Sequence, residues 1–231
     1  MDWRLGGRAV ARWDASLLAV VAASVGVGLI GAAVVGRIGA PWASLASTVT
    51  LWLGFTVAIL FAIVRARPAG LLRFDPVDLL WGLCIGLGLR GLQGWWSGSA
   101  SVSFPTAGAL DGNLPGDWWL TVALPAGLLG PVIEEFLLRA VVLVALYQLL
   151  RPAVGALAAG LTGLLVSAGA FVLLHVAFGA MSLIDGVLLF TVGAVCSLTV
   201  LLTGRIWGAV LIHVVYNVSF LALVIVGTAL K

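Results

Sequence analysis

Apolar runs of about 20 residues recur along this chain, and a run of that length can cross a membrane as a helix. The first uncharged run is Ala15–Val35, and the second, Trp42–Val64, ends at Arg65 and Pro68. Because 62% of the 231 residues are hydrophobic and 9% are charged, the composition lies far outside the range of soluble domains. The sequence therefore predicts an all-α, polytopic membrane helix bundle, with any functional site inside the bundle.

Five further apolar segments raise the predicted number of transmembrane helices to seven. They are Val77–Trp95, Trp118–Leu150, Ala153–Phe178, Leu183–Thr203 and Ile206–Leu230. We expect a single integral membrane domain over residues 1–231. Within it, residues 1–117 supply the first helices and an outside loop, and residues 118–231 supply the helices that carry the chemistry.

Val77–Trp95, the third of the seven predicted segments, is the least apolar. Asp78 lies near its start, and Arg90 and Gln93 interrupt its end. Gly82 and Gly86 are four residues apart, which is the spacing that lets two membrane helices approach closely. The pattern therefore predicts that this helix packs against another helix rather than facing lipid.

Basic residues predict that the amino terminus lies in the cytoplasm. With seven crossings, eight basic residues fall on the amino-terminal side of the membrane and two on the other. The eight are Arg4, Arg8, Arg12, Arg65, Arg67, Arg73, Arg151 and Arg205, and the two are Arg37 and Lys231. The polar segment Ser97–Asp117 contains no Lys or Arg and is predicted to lie outside. We expect a multi-pass protein of the cell membrane, and because the basic residues form no patch, a nucleic-acid role is excluded.

The fourth segment is too long for one straight crossing, and Pro125 and Pro131 predict a kink just ahead of two adjacent glutamates. Glu134 and Glu135 are the only glutamates of the chain. A carboxylate at the centre of a membrane helix costs roughly 2.5–3.5 kcal/mol, so the pair requires a function or an internal partner. Glu135 and Arg139 share one helix face and can pair, whereas Glu134 points about 100° away. Glu134 is therefore the candidate reactive group.

Both histidines of the chain also lie in apolar segments. Phe171 is one helical turn before His175, and Asn217 is one turn after His213. A neutral imidazole can transfer a proton or bind a metal, and an amide can donate to a developing oxyanion. Each residue alone could be structural, since a buried His often only bonds between helices. A structural account must nevertheless place four rare ionisable residues in three apolar helices independently, so the set favours catalysis or ion transport.

These residues resemble the motifs of the CPBP intramembrane proteases, a family that includes type II CAAX prenyl endopeptidases and bacteriocin-processing or self-immunity proteins. The resemblance rests on Glu134-Glu135-x3-Arg139, Phe171-x3-His175 and His213-x3-Asn217, in that order, and on Gly204-Arg205-Ile206-Trp207-Gly208 ahead of the third motif. It covers about residues 120–220. The three motifs together are specific, whereas any one alone is weak.

The resemblance implies hydrolysis of a peptide bond within the membrane. By position, Glu134 would be the general base for a water that His175 helps to hold, and His213 and Asn217 would stabilise the oxyanion. Glu135, Arg139 and Phe171 would support them. If the helices of His175 and His213 ran straight and parallel, these residues would differ in depth by tens of Å, so tilted, kinked or re-entrant segments near 153–162 are expected.

The cofactor is open between two mechanisms. Glu134, His175 and His213 form the two-His, one-Glu set that a catalytic zinc takes. The spacing differs from HExxH, because each ligand would come from a different helix, and Asn217 beside His213 suits an oxyanion donor better than a metal shell. Our interpretation prefers a metal-independent, glutamate-activated water.

Two other functions use the same residues. An ion- or proton-coupled transporter could employ the buried ionisable groups as a relay, although it would not need Asn217 one turn from His213. A non-proteolytic immunity or scaffold protein could also keep them. For the protease, the expected partners are the lipid bilayer and a membrane-anchored peptide or protein substrate.

Overall fold

A computed structural model describes residues 10, 12–107, 113–177, 179 and 181–230, and the regular structure in these ranges is entirely helical. The α-helices are α1 Ala15–Gly36, α2 Ala43–Arg65, α3 Val77–Trp96, α4 Gly130–Glu135, α5 Val144–Val176, α6 Leu183–Thr203 and α7 Trp207–Ala229. Wider π-helical turns occupy Trp119–Ala123, Pro125–Leu129 and Phe136–Leu143, and Ser99–Ser101 forms a short 3₁₀ turn. The predicted polytopic helix bundle is confirmed.

Five helical stretches of the described residues are long and apolar enough to span a membrane. One of them, Trp119–Val176, is continuous over 58 residues, which is far more than one crossing requires. Helix α3 coincides with the predicted third segment, and the predicted sixth and seventh segments coincide with α6 and α7. The number of seven crossings remains a prediction.

The long stretch changes direction at Gly155. Its φ of +79° and ψ of 169° are not helical, and glycine reaches positive φ without a steric penalty. The sequence placed the boundary at Arg151-Pro152, but Pro152 lies inside α5. The chain therefore turns three residues later than predicted, at the residue that tolerates the turn. Phe178, the predicted end of this segment, lies outside the described residues.

Glycines bring neighbouring helices close together. A Cβ on Gly54 of α2 would lie 2.7 Å from the carbonyl oxygen of Ser24 in α1. On α3, a Cβ on Gly82 would lie 2.5 Å from the Cβ of Leu211 in α7, and one on Gly86 would lie 2.9 Å from the carbonyl oxygen of Ile212. The prediction that Gly82 and Gly86 mark a helix-packing face is confirmed.

The loops that carry arginines meet at one end of the bundle, which we call the basic end (residues 65–78 and 204–207). Arg205 forms a forked pair with the fully buried Asp78, with N–O distances of 2.9 to 3.2 Å. The Ile206 amide donates to the Leu71 carbonyl at 3.0 Å, and the Trp207 indole donates to the Leu72 carbonyl at 2.8 Å. Arg4, Arg8 and Lys231, which the orientation prediction also used, lie outside the described residues.

The opposite end, which we call the loop end, contains residues 37–42, 97–107, 113–118 and the last turn of α7. Asp14 at the start of α1 pairs with Arg65 at the basic end, at 2.7 Å, so the other end of α1 lies at the loop end. The Ala107 amide donates to the Thr228 hydroxyl at 2.9 Å, which ties the long loop to α7. Helices α2 and α3 can therefore be followed from one named end to the other, whereas the Trp119–Val176 stretch begins at the loop end and turns back at Gly155.

Candidate active site

A proline places the Asn217 amide. In the π-helical turn Pro125–Leu129, the Gly130 amide donates to the Pro125 carbonyl rather than to that of Ala126. The next residue, Pro131, has no N–H to donate, so no intrahelical donor remains for the Ala126 carbonyl. Asn217 of α7 supplies one, because its Nδ2 donates to the Ala126 oxygen at 2.8 Å. An amide nitrogen carries two hydrogens, and this contact uses one of them.

Glu134, His175 and Asn217 line one cavity of about 350 Å³. Its other walls come from α2 and from the stretch that leads to Glu134: Thr48, Leu51, Trp52, Thr121, Val122, Pro125, Ala126, Gly130 and Pro131. Glu134 is half-buried, and no group in the described part of the chain hydrogen-bonds to its carboxylate. The structure thus brings together three of the four predicted catalytic residues around an unpaired carboxylate.

The last turn of α5 fixes the tautomer of His175. Its Nδ1 lies 2.9 Å from the Phe171 carbonyl oxygen. A carbonyl oxygen only accepts hydrogen bonds, so Nδ1 must carry the hydrogen. In the neutral ring, Nε2 then has a free lone pair and can accept a hydrogen bond from a water or a proton.

Behind the cavity, Glu135 lies fully buried between Arg139 and His213. Arg139 Nη1 is 3.0 Å from Glu135 Oε1, and the Arg139 side chain is also fully buried, which confirms the predicted pair. That contact is an ion pair without hydrogen-bond alignment, whereas Arg139 Nη2 donates to the Gly193 carbonyl at 3.1 Å. The same Oε1 lies 2.9 Å from Nδ1 of His213, which is 2% exposed. His213 is therefore held by Glu135 and does not line the cavity of Glu134.

Phe171 links the two histidines. Its ring centroid is 4.5 Å from that of His175 and 5.3 Å from that of His213, and both contacts are edge-on. The Arg139 guanidinium lies 4.8 Å from the centre of the same ring. Straight, parallel helices would have placed the two histidines at different depths, but both contact the Phe171 ring. The break at Gly155 lies within 153–162, where a change of direction was expected.

Residues 116–219 match the family described as type II CAAX prenyl endopeptidase Rce1-like. They form an Rce1-like domain. This range holds all three motifs, and the CPBP resemblance is thereby confirmed. Neither the curated proteins nor the solved structures contain a match to the chain. The match of these residues supports a CAAX-protease-like hydrolase of the membrane, while α1, α2 and α3 lie outside the matched range.

The Rce1-like residues do not fit a zinc shell of Glu134, His175 and His213. The Nδ1 contacts of His213 and His175 leave both Nε2 atoms able to bind a metal, but His213 does not line the cavity that Glu134 and His175 share. Across the described ranges, no three His, Cys, Asp or Glu side chains are close enough to hold one. The set has the right chemistry but is not assembled as ligands in this arrangement.

Sequence reasoning missed the wall that α2 contributes to the cavity of the Rce1-like domain. Thr48 and Trp52 lie outside the matched range and in no motif. A Trp in an apolar helix carries no signal that distinguishes a cavity wall from lipid contact.

The sequence analysis interpreted Arg90 as an interruption of α3. In the structure, Arg90 donates to the Tyr216 carbonyl of α7 at 2.6 Å, and its guanidinium lies 3.9 Å from the centre of the Tyr216 ring.

Proposed function

We propose that this protein is an intramembrane endopeptidase that hydrolyses a peptide bond of a membrane-anchored peptide or protein with a water activated by Glu134. The observation that carries the proposal is the shared cavity of Glu134, His175 and Asn217. These side chains come from different helices and are far apart in sequence, yet their functional groups meet at one space large enough for a substrate segment.

Glu134 is suited to the base because its carboxylate is unpaired and faces the cavity. Water bound between Glu134 and Nε2 of His175 attacks the scissile carbonyl carbon while Glu134 takes its proton. The carbonyl oxygen becomes an oxyanion, and the free hydrogen of Asn217 Nδ2 donates to it. Glu134 then returns the proton to the leaving nitrogen, and the carbon–nitrogen bond breaks.

From the family resemblance, His213 is proposed as the second oxyanion donor, and it lies behind the wall of the Glu134 cavity, where Glu135 holds it. Because the Glu135 carboxylate accepts a hydrogen bond from Nδ1, a neutral His213 has no hydrogen on Nε2, and Nε2 donates only when both ring nitrogens carry one. The partner at Nδ1 fixes which ring nitrogen is protonated. Glu135 thereby orients His213 and is the counter-charge of the doubly protonated ring that can donate, while Arg139 also pairs with Glu135.

The proposal is tested by incubating the purified protein in lipid nanodiscs with membrane-anchored peptides in ¹⁸O-labelled water. We expect new peptide carboxyl termini that carry ¹⁸O, and Asn217→Ala should lower kcat by about 10²–10³-fold, as for loss of one oxyanion donor. No cleavage of any peptide, together with a Glu134-dependent proton flux in proteoliposomes, would favour the transporter instead.

A further inference from the structure

The cavity extends from Glu134 toward the loop end only. Along the Trp119–Val176 stretch, its lining residues are Thr121, Val122, Pro125, Ala126, Gly130, Pro131, Glu134 and His175. All except His175 lie at or before Glu134, and this stretch begins beside the loop end. No residue from 135 to 174 lines the cavity, although residues 135–154 continue from Glu134 toward the basic end before the chain turns back at Gly155.

Two other helices agree with this direction. Thr48, Leu51 and Trp52 lie in the first half of α2, and α2 begins at the loop end. His175 lies in the last turn of α5, and the next residue but one, Ala177, lines a space beside Arg37 of the loop end. Three separate segments therefore agree that the cavity extends toward the loop end.

The charges of the described loops assign the two ends to the two sides of the membrane. The basic end carries Arg65, Arg67, Arg73 and Arg205, whereas Arg37 is the basic residue in the described loops of the loop end. Loops rich in Arg and Lys stay in the cytoplasm. The basic end is thus the cytoplasmic end, and the cavity opens to the other side.

We infer that the substrate is an anchored peptide whose scissile bond lies on the extracytoplasmic side, where its apolar segment leaves the membrane. This inference rests on the proposed function and names its substrate class. The walls formed by Leu51, Trp52, Val122 and Pro125 are apolar, so they accept apolar side chains beside the bond. A cytoplasmic carboxyl-terminal segment would approach from the basic end, where the cavity has no opening.

Cysteine labelling tests the direction without relying on hydrolysis. In a Cys84→Ser background, in which Cys196 is buried, single variants Thr121→Cys, Thr48→Cys and Gly70→Cys are treated with an impermeant maleimide in whole cells and in inverted vesicles. We expect Thr121→Cys and Thr48→Cys to react in whole cells and Gly70→Cys only in inverted vesicles. Val57→Cys on α2, whose side chain is 56% exposed but faces away from the cavity, is the matched control and should react in neither.

Two outcomes overturn the inference. Reaction of the cavity cysteines from the same side as Gly70→Cys would mean that the cavity opens to the basic end. Reaction of Gly70→Cys in whole cells would mean that the chain is inverted and the substrate segment is cytoplasmic.

The substrate class is tested in proteoliposomes whose orientation the Gly70→Cys label reports. Peptides anchored by one apolar helix are supplied with the cleavable segment on either side, and we expect cleavage only on the loop-end side. Cleavage confined to the basic-end side contradicts the inference. Labelling from the loop end with no cleavage on either side contradicts the proposed function and leaves the direction of the cavity established.

Discussion

The two adjacent glutamates meet different surroundings because successive residues of a helix point about 100° apart. Glu135 is fully buried between Arg139 and His213, whereas Glu134 faces a cavity and has no hydrogen-bond partner in the described ranges. A buried carboxylate needs compensation, and a base needs a free lone pair. In the structure, Arg139 and His213 compensate the buried charge of Glu135, whereas the carboxylate of Glu134 keeps its lone pairs available for a base.

Loss of the buried pair should destabilise the protein. Glu135→Gln leaves Arg139 without its counter-charge, and Arg139→Ala leaves Glu135 without one, so each should lower the free energy of unfolding by roughly 3–5 kcal/mol. The measurement is unfolding in detergent, monitored by tryptophan fluorescence. Glu134→Gln is the matched control and should unfold like the wild type. Unchanged unfolding of Glu135→Gln would show that the pair is not structural.

Metal analysis should find less than one equivalent of zinc in the active protein. The reason is geometric, since His213 does not line the cavity that Glu134 and His175 share, and no three His, Cys, Asp or Glu side chains of the described residues are grouped as ligands. Elemental analysis is combined with assays before and after a strong zinc chelator, and activity should survive. One equivalent of zinc that is lost and restored together with activity would make His175 and His213 ligands.

At this scale, the sequence predicts what lies within one helix and misses what packing decides. The Glu135–Arg139 pair follows from a spacing of four residues. The contact between Glu135 and His213 joins residues 78 positions apart, so no local pattern encodes it. The sequence interpretation therefore grouped His213 with Asn217, its neighbour on α7, rather than with Glu135.

Among the helices, the π-helical turn before Glu134 is the element that connects sequence to chemistry. Pro131→Ala would supply an N–H near the Ala126 carbonyl, which would compete with Asn217 for that oxygen. We expect the Asn217 side-chain amide signals to shift and kcat to fall by about 10- to 100-fold, as for a small misplacement of a catalytic group.

The chain offers a simple readout for this change. It contains two asparagines, Asn113 and Asn217, so ¹⁵N-asparagine labelling gives two side-chain amide pairs. Pro152→Ala, which alters a helix proline that does not line the cavity, is the control and should leave both unchanged. If Pro131→Ala also leaves the Asn217 signals and kcat unchanged, the proline does not place this amide.

The contact between α3 and α7 should depend on glycine at one position and not at another on the same helix. Gly82→Ala places a Cβ 2.5 Å from that of Leu211, so the helices must separate, and we expect a loss of about 1–3 kcal/mol in unfolding free energy. Gly88→Ala meets nothing within 4 Å and should be neutral or slightly stabilising. Detergent unfolding of both variants checks this, and equal stability would contradict the packing.

For the whole molecule, hydropathy identifies the helical segments because the bilayer sets their length. The cavity could not be identified in this way, because its wall of Thr48, Leu51 and Trp52 comes from a helix without a motif. The direction of its opening also depends on how the helices pack. The spacing of the motifs identified the candidate catalytic residues. Only the packing of the helices shows that Glu134, His175 and Asn217 line one cavity and that His213 does not.

The central claim is that the unpaired carboxylate of Glu134, in a cavity with His175 and Asn217, is the base of a peptidase. The most direct measurement compares initial rates of peptide cleavage and thermal unfolding for the wild type, Glu134→Gln and Glu135→Gln. We predict that Glu134→Gln unfolds like the wild type and loses at least about 10²–10⁴-fold in kcat, the range expected for removal of a general base. Wild-type cleavage by a folded Glu134→Gln variant, with activity lost instead in a folded Glu135→Gln variant, would contradict the account.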